Sequence, residues 1–164
     1  MKILNFALTL EFLEAEFYKQ AVSNRAFKSP EFEEFARTVA DHEAKHVSFL
    51  RKALGSAAVK KPSFDFGDTV TDGNKFAATA QVLEDTGVRA YLGQVGNISS
   101  RAVLGAAGTI ATVEARHAAW IRYINGGGVL GTPAKSSPAP FTFDKPASER
   151  AILSAVGETK FIKS

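Results

Sequence analysis

Four stretches of this 164-residue chain place apolar side chains at helical spacing. In the first, apolar residues recur every three or four positions from Ile3 to Val22, which predicts a helix over about 2–23. Comparable patterns predict three further helices, over about 30–54, 75–94 and 99–124. Residues 55–74 lose this period and contain Pro and Gly, which indicates a long connection. We therefore predict an all-α four-helix bundle with one long crossover.

The boundaries of the second helix carry clear signals. Ser29 is a favourable N-cap residue, Pro30 suits the first helical position, and Gly55 is suited to the C-terminal end. In the connection that follows, we expect Phe64 and Phe66 to anchor the chain by packing on the bundle core.

After residue 128 the composition becomes rich in Gly, Pro and Ser. We therefore divide the chain into a bundle, 1–128, and a C-terminal tail, 129–164. Ser148 is placed to cap a short helix over about 149–156. The tail either packs along the bundle or serves in assembly. We favour packing because four apolar side chains in it call for burial: Phe141, Phe143, Ile152 and Leu153.

Two matching sets of candidate metal ligands lie on these helices. Each set has a lone Glu on one apolar helix, followed by Glu-x-x-His on the next helix. The sets are Glu11, Glu43 and His46 in the first half, and Glu84, Glu114 and His117 in the second. The lone Glu precedes the second Glu by 32 positions in one half (43 − 11) and by 30 in the other (114 − 84). The two halves are therefore an internal repeat.

Glu and His three positions apart point to one helix face, so such a pair offers one metal a carboxylate oxygen and an imidazole nitrogen. Four carboxylates inside a bundle would be strongly disfavoured without cations, because mutual repulsion adds to the cost of desolvation. Mixed oxygen and nitrogen coordination suits iron and manganese and leaves open positions for oxygen or peroxide. We predict two iron ions, or an iron/manganese pair, bound among the four helices.

A tyrosine follows each lone Glu by seven residues, at Tyr18 and Tyr91. Seven residues return almost to the same helix face, about two turns away. Both hydroxyls could then hydrogen-bond ligand carboxylates across the bundle, which makes the two tyrosines candidate catalytic residues. The alternative is that both are ordinary aromatic residues of the core.

Glu14 lies three residues after Glu11 and is predicted to face the same site. In the repeat its place is taken by Gly87, so it is not one of the six repeated positions. It is either an additional metal ligand or a neighbour that hydrogen-bonds a ligand.

Residues 42–46 also match the H-E-x-x-H motif of zinc peptidases, with His42 and His46 as ligands and Glu43 as general base. The repeat argues against this reading, because Val113 stands where a second copy would need its first His. The peptidase hypothesis also gives no reason for Glu11, Glu84 and Glu114 to lie on apolar helix faces. We expect His42 to be a surface residue or a neighbour of the ligands.

The composition removes other classes of function. The absence of Cys excludes disulfides, iron–sulfur clusters and thiolate zinc sites. The net charge is +3, but Lys60–Lys61 is the only basic doublet, so we predict no nucleic-acid partner. No stretch approaches the roughly 20 apolar residues that a membrane span needs. Acidic residues in the first helix argue against a signal peptide, so the default expectation is a cytoplasmic protein.

Several of these segments resemble the ferritin-like family that includes plant desiccation-related proteins. The similar runs are 4–18, 42–46, 83–93 and 114–117 in the helices, with 64–66 in the crossover and 143–146 in the tail. The resemblance implies a ferritin-like bundle with a di-iron centre and a link to stress. It also implies relatives that are often exported.

The leading hypothesis is a di-iron, or iron/manganese, oxidoreductase or oxidase that acts on oxygen, peroxide or ferrous iron in stress protection. The alternative is a structural or desiccation-protective bundle, self-assembling through its tail, in which metal is structural or absent. Iron storage would require a closed cage, whereas we expect a monomer or a small homo-oligomer.

Overall fold

A computed structural model describes residues 1–128 and 137–163. Most of these residues are helical, which confirms the predicted all-α class. The α-helices are α1 (Lys2–Asn24), α2 (Pro30–Leu54), α3 (Gly73–Gln94), α4 (Arg101–Asn125) and α5 (Glu149–Thr159). The first four form the predicted bundle, and their ends lie within two residues of the predicted boundaries.

The helix N-termini are capped in different ways. Asp72 caps α3 because its side chain accepts hydrogen bonds of 2.9 Å from the backbone N–H groups of Asn74 and Lys75. Ser29 occupies the N-cap position of α2, but its hydroxyl donates to the Glu31 side chain at 2.5 Å and makes no cap bond. The predicted N-cap position of Ser29 and the first helical position of Pro30 are therefore confirmed, although the Ser29 hydroxyl bonds Glu31 instead of the backbone.

Two helical hairpins build the bundle. Helices α1 and α2 pack against each other along their lengths, and α3 and α4 do the same. The crossover between the hairpins contains short 3-10 turns and strand β1 (Ser63–Phe64), which pairs antiparallel with β2 (Ile162–Lys163). Phe66 is buried and its ring lies 5.4 Å from that of Phe17, which confirms the expected anchor.

The tail packs on α3 through a close backbone contact. The backbone N–H of Ala147 donates to the Arg89 carbonyl at 3.0 Å. A Cβ atom on Gly93 would lie only 1.8 Å from the Ala147 carbonyl oxygen, so this position tolerates no side chain. Gly93 lies in the last turn of α3 and lets the tail approach the helix closely. Helix α5 then buries Ile152 and Val156, four residues apart on one face.

Three apolar tail residues are not buried as predicted. Phe141, Phe143 and Leu153 are 57%, 82% and 44% exposed. Leu153 lies next to Ile152 on the helix and faces away from the bundle. The predicted boundary after residue 128 falls at 129–136, which lies outside the described residues. In the described part of the chain, no helix combines the length and apolar character needed to cross a membrane.

Candidate metal centre

The six repeated Glu and His side chains converge inside the bundle, although they come from four different helices. Helices α1 and α3 each contribute the lone Glu, and α2 and α4 each contribute Glu-x-x-His. All four carboxylates have no solvent exposure, and only the His46 side chain retains 12%. The amphipathic pattern thus buries acidic side chains on faces that are otherwise apolar.

Their ligand atoms form two groups of four, and within each group all atoms lie within 4.8 Å of one another. The groups are Glu11, Glu43, His46 and Glu114, and Glu43, Glu84, Glu114 and His117. Two carboxylates, Glu43 and Glu114, belong to both groups. The carboxylates of the two Glu-x-x-His motifs therefore lie where they could bridge two cations, while each lone Glu and each His serves one position.

Both imidazoles turn the same nitrogen toward the centre. His46 Nδ1 lies 3.2 Å from carboxylate oxygens of Glu11, Glu43 and Glu114. His117 Nδ1 lies 3.3 Å from Glu43 and 3.2 Å from Glu84. His46 Nδ1 thus faces Glu43, three residues earlier on its own helix, as the i, i+3 spacing predicts. His117 Nδ1 instead faces carboxylates from α2 and α3.

Several buried atoms of the centre make no hydrogen bond of acceptable geometry in the described part of the chain, although His117 Nδ1 lies 3.2–3.3 Å from two of them. They are Glu43 Oε1, Glu84 Oε2, both carboxylate oxygens of Glu114, and His117 Nδ1. Buried polar atoms are normally satisfied, because an unpaired one costs about 1–3 kcal/mol. These five atoms all belong to the two groups of four. A pair of cations among them would satisfy every one, so the donor set fits a dimetal centre.

The electrostatics of the cluster indicate the same need for positive charge. Burial, together with repulsion between carboxylates, raises the pKa of Glu43 and Glu114 well above the usual value. Burial would also raise the pKa of Glu11, but its contacts with His46, Glu43 and Tyr91 together outweigh burial and lower that pKa overall. Burial alone would lower the pKa of His46, yet its hydrogen bonds to carboxylates raise it to about 12. Protons therefore compensate the charge in the absence of metal, and metal binding would release them.

Each predicted tyrosine hydrogen-bonds the lone Glu of the opposite half. The Tyr18 hydroxyl donates to Glu84 Oε1 at 2.5 Å, and the Tyr91 hydroxyl donates to Glu11 Oε1. The expected contact across the bundle is thus confirmed. Burial and the neighbouring carboxylates raise the pKa of both tyrosines well above 10, so both remain hydrogen-bond donors. Their catalytic role stays a prediction.

Glu14 lies beside the cluster but belongs to neither group of four. It is 3% exposed, and burial, with repulsion from Glu114 and its neighbours, raises its pKa well above the usual value. A Cβ atom on Gly87 would lie 2.8 Å from Glu114 Oε2 and 3.2 Å from Glu14 Oε1. The glycine in the middle of α3 therefore leaves room for both carboxylates.

His42 contacts a ligand rather than the metal cluster itself. Its Nδ1 lies 2.9 Å from His117 Nε2, and the two rings stack with centroids 5.1 Å apart. This geometry argues against the zinc-peptidase reading, since His42 is absent from the group that contains His46. The structure therefore supports the alternative that His42 is a neighbour of the ligands. The sequence indicated this special position, because His42 is matched by Val113 in the other half of the repeat.

A comparison with protein families agrees with this architecture. The family model of the ferritin-like domain matches residues 1–127. The chain belongs to the ferritin-like domain family. The match spans the four long helices of the ferritin-like bundle and all six repeated Glu and His residues, and it ends before the tail that carries α5. A search of curated proteins finds no match to the chain.

Proposed function

We propose that this ferritin-like protein is a dimetal oxidoreductase that holds two iron ions, or an iron/manganese pair, and acts on oxygen, peroxide or ferrous iron. The observation that carries the proposal is the pair of four-residue groups that share Glu43 and Glu114. Shared carboxylates hold two cations close together, which suits chemistry that needs two metal ions at once.

The donor set favours iron or manganese over other metals. It consists of four carboxylates and two imidazoles, and the chain has no Cys to supply sulfur. Four ionised carboxylates balance the charge of two divalent cations. When bound, iron would supply one-electron redox chemistry toward oxygen, peroxide or ferrous substrate.

The remaining residues orient these ligands. Tyr18 and Tyr91 each hold one carboxylate oxygen of a lone Glu, while the other oxygen faces the imidazole of the same group and could bind a cation. His42 engages Nε2 of His117 and so keeps its Nδ1 turned toward the centre. The surrounding apolar core excludes bulk water, which strengthens these polar contacts.

The metal content of the purified protein tests the proposal directly. Protein expressed without added metal should contain iron or manganese by elemental analysis, and it should oxidise ferrous iron in air. Glu84→Ala and His117→Ala should each lose about one of the two ions and the activity, because each residue belongs to only one of the two groups. Glu34→Ala, which changes an exposed carboxylate on α2, should behave like the unmodified protein.

Unchanged metal content and activity in both ligand variants would contradict the proposal. For the physiological role we propose stress protection, based on the resemblance to desiccation-related proteins. Loss of protection in cells that carry Glu84→Ala would support a role that depends on metal, whereas full protection would assign it to the bundle itself.

A further inference from the structure

An apolar cavity of about 210 Å³ lies at one end of the bundle, next to Tyr91. All four long helices contribute to its walls, from the N-terminal halves of α1 and α4 and the C-terminal halves of α2 and α3. Much of the wall is deeply buried, including Leu10, Leu50 and Ala90. Phe49, Ala53 and Ala102 at the rim are exposed, so the cavity opens to solvent and an occupant can enter from that side.

The internal repeat explains why space remains at this end. Numbers in α3 exceed those of equivalent residues in α1 by 73 (84 − 11), and those in α4 exceed those in α2 by 71 (114 − 43). These offsets give five lining residues a counterpart at the opposite end. With the lining residue first in each pair, they are Ile3/Phe76, Phe49/Trp120, Ala90/Phe17, Val103/Phe32 and Ala106/Phe35. Each of these five lining residues is smaller than its counterpart, although Leu4, Phe6 and Gln94 are larger than theirs.

At the opposite end the larger counterparts fill the core around Tyr18. The Tyr18 ring lies 5.2 Å from Phe17, 5.8 Å from Phe35 and 6.0 Å from Phe76. The same fold can therefore be packed solidly around this tyrosine. The space beside Tyr91 follows from the choice of side chains and not from the geometry of the bundle.

One polar side chain offers a free donor in the cavity wall. Gln94 is 6% exposed, and its Oε1 accepts a hydrogen bond of 3.3 Å from Asn97. Within the described residues, the Gln94 Nε2 group donates to no acceptor. The counterpart of Gln94 in the repeat is Ala21, so this donor too is confined to the end with the cavity. Gln94 Nε2 is not one of the fully enclosed unpaired atoms, so it retains contact with solvent, and the acceptor atom of a ligand could take the place of water there.

We propose that this cavity binds a small apolar molecule that carries one acceptor oxygen, bonded by Gln94 Nε2. A cavity of about 150 Å³ holds benzene, so the present volume suits a ring with a short substituent. The apolar body of the ligand lies against Tyr91, whose hydroxyl is bonded to Glu11. The ligand is therefore held beside one half of the metal centre.

Acetophenone and ethylbenzene are suitable probes, because they have similar shapes but only acetophenone has an acceptor oxygen. Titration calorimetry on the purified protein should show that both bind, with acetophenone about three- to tenfold tighter. Gln94→Leu should remove this preference and retain ethylbenzene binding. Equal affinities in the unmodified protein, or an unchanged preference in Gln94→Leu, would overturn the role of Gln94.

Filling the cavity tests its location. Ala106→Phe introduces the side chain found at the equivalent position 35 and should abolish the binding of both probes. Leu104→Phe, at a partly exposed position of α4 outside the cavity, is the control and should bind normally. Undiminished binding to a folded Ala106→Phe, with its fold checked by circular dichroism, would overturn the proposal. Should that variant not fold, the Gln94→Leu comparison decides.

A second copy of the chain is the competing occupant. Light scattering that shows a dimer, together with no binding of either probe, would mean that another subunit covers this end and would overturn the proposal. The measured quantity is binding of an organic probe and not oxidation. A negative result would therefore leave the proposed dimetal function intact, and a protein without metal could still bind the probes.

Discussion

The two ends of the bundle carry the same repeated residues beside the metal centre, yet they are packed differently. Around Tyr18 the core is filled with aromatic rings, whereas beside Tyr91 it contains a cavity of about 210 Å³. Both tyrosines nevertheless make the same kind of hydrogen bond to a lone Glu. The candidate ligands and the Tyr–Glu hydrogen bonds are thus repeated in both halves. The packing one or two helical turns away differs between the two ends.

The centre itself shows two smaller departures from the repeat. Glu14 and Gly87 occupy equivalent positions of the repeat. The Glu14 carboxylate lies in the space where a side chain at position 87 would be. His42 contacts His117, whereas the equivalent position beside the other copy of the motif is Val113. These departures make the surroundings of the two candidate metal positions chemically different.

The largest expected effect is on metal content, which should fall more when a carboxylate common to both groups is removed than when a residue of one group is removed. Glu43→Ala removes a carboxylate from both groups, so the bound metal should fall from about two ions to nearly none. Glu84→Ala changes one group only and should leave about one ion. Elemental analysis of both variants measures the difference, and equal losses would contradict the assignment of Glu43 as the shared ligand.

The next effect compares the packing of the two ends. Phe35→Ala should lower the free energy of unfolding by about 3–5 kcal/mol, because Phe35 has no solvent exposure and packs against Tyr18. Ala106→Phe, the reverse change at the equivalent position, should leave stability unchanged or raise it. Urea denaturation measures both, and a large loss for Ala106→Phe would show that the end beside Tyr91 has no usable space.

A third experiment makes the two metal positions more alike. His42→Val introduces the residue found at the equivalent position of the repeat and removes the contact with His117 Nε2. Metal affinity at the position that uses His117 should fall by about 10- to 100-fold. Competition with a chelator should reveal one weakened and one unchanged ion. Equal weakening of both would argue against a local role for His42.

The smallest effect concerns two helical glycines. Gly105→Ala should stabilise the protein by about 0.5–1 kcal/mol, because a Cβ atom there meets nothing within 4 Å. Gly87→Ala should lose this gain and weaken metal binding, since its Cβ atom would lie 2.8 Å from Glu114 Oε2. Thermal denaturation with and without metal compares the pair. Identical behaviour would show that the carboxylates move aside without cost.

Helical periodicity was sufficient to predict the bundle, and the repeated spacing was sufficient to select six Glu and His residues. Both signals are local, because i, i+3 and i+7 positions share a helix face wherever the helix packs. The tail was harder to predict. Ile152 is buried but Phe141 and Phe143 are exposed, since apolar character alone does not determine which face of a tail meets the bundle.

By itself, the sequence determined which side chains would face the bundle interior and which chemistry they could provide. Only the tertiary structure decided that Glu43 and Glu114 are shared, that each tyrosine bonds the opposite half, and that His42 meets His117. It also decided where space remains, beside Tyr91 and not beside Tyr18. The reason is that helix faces follow from neighbouring residues along the chain, whereas contacts between helices depend on how four separate surfaces dock and fill volume.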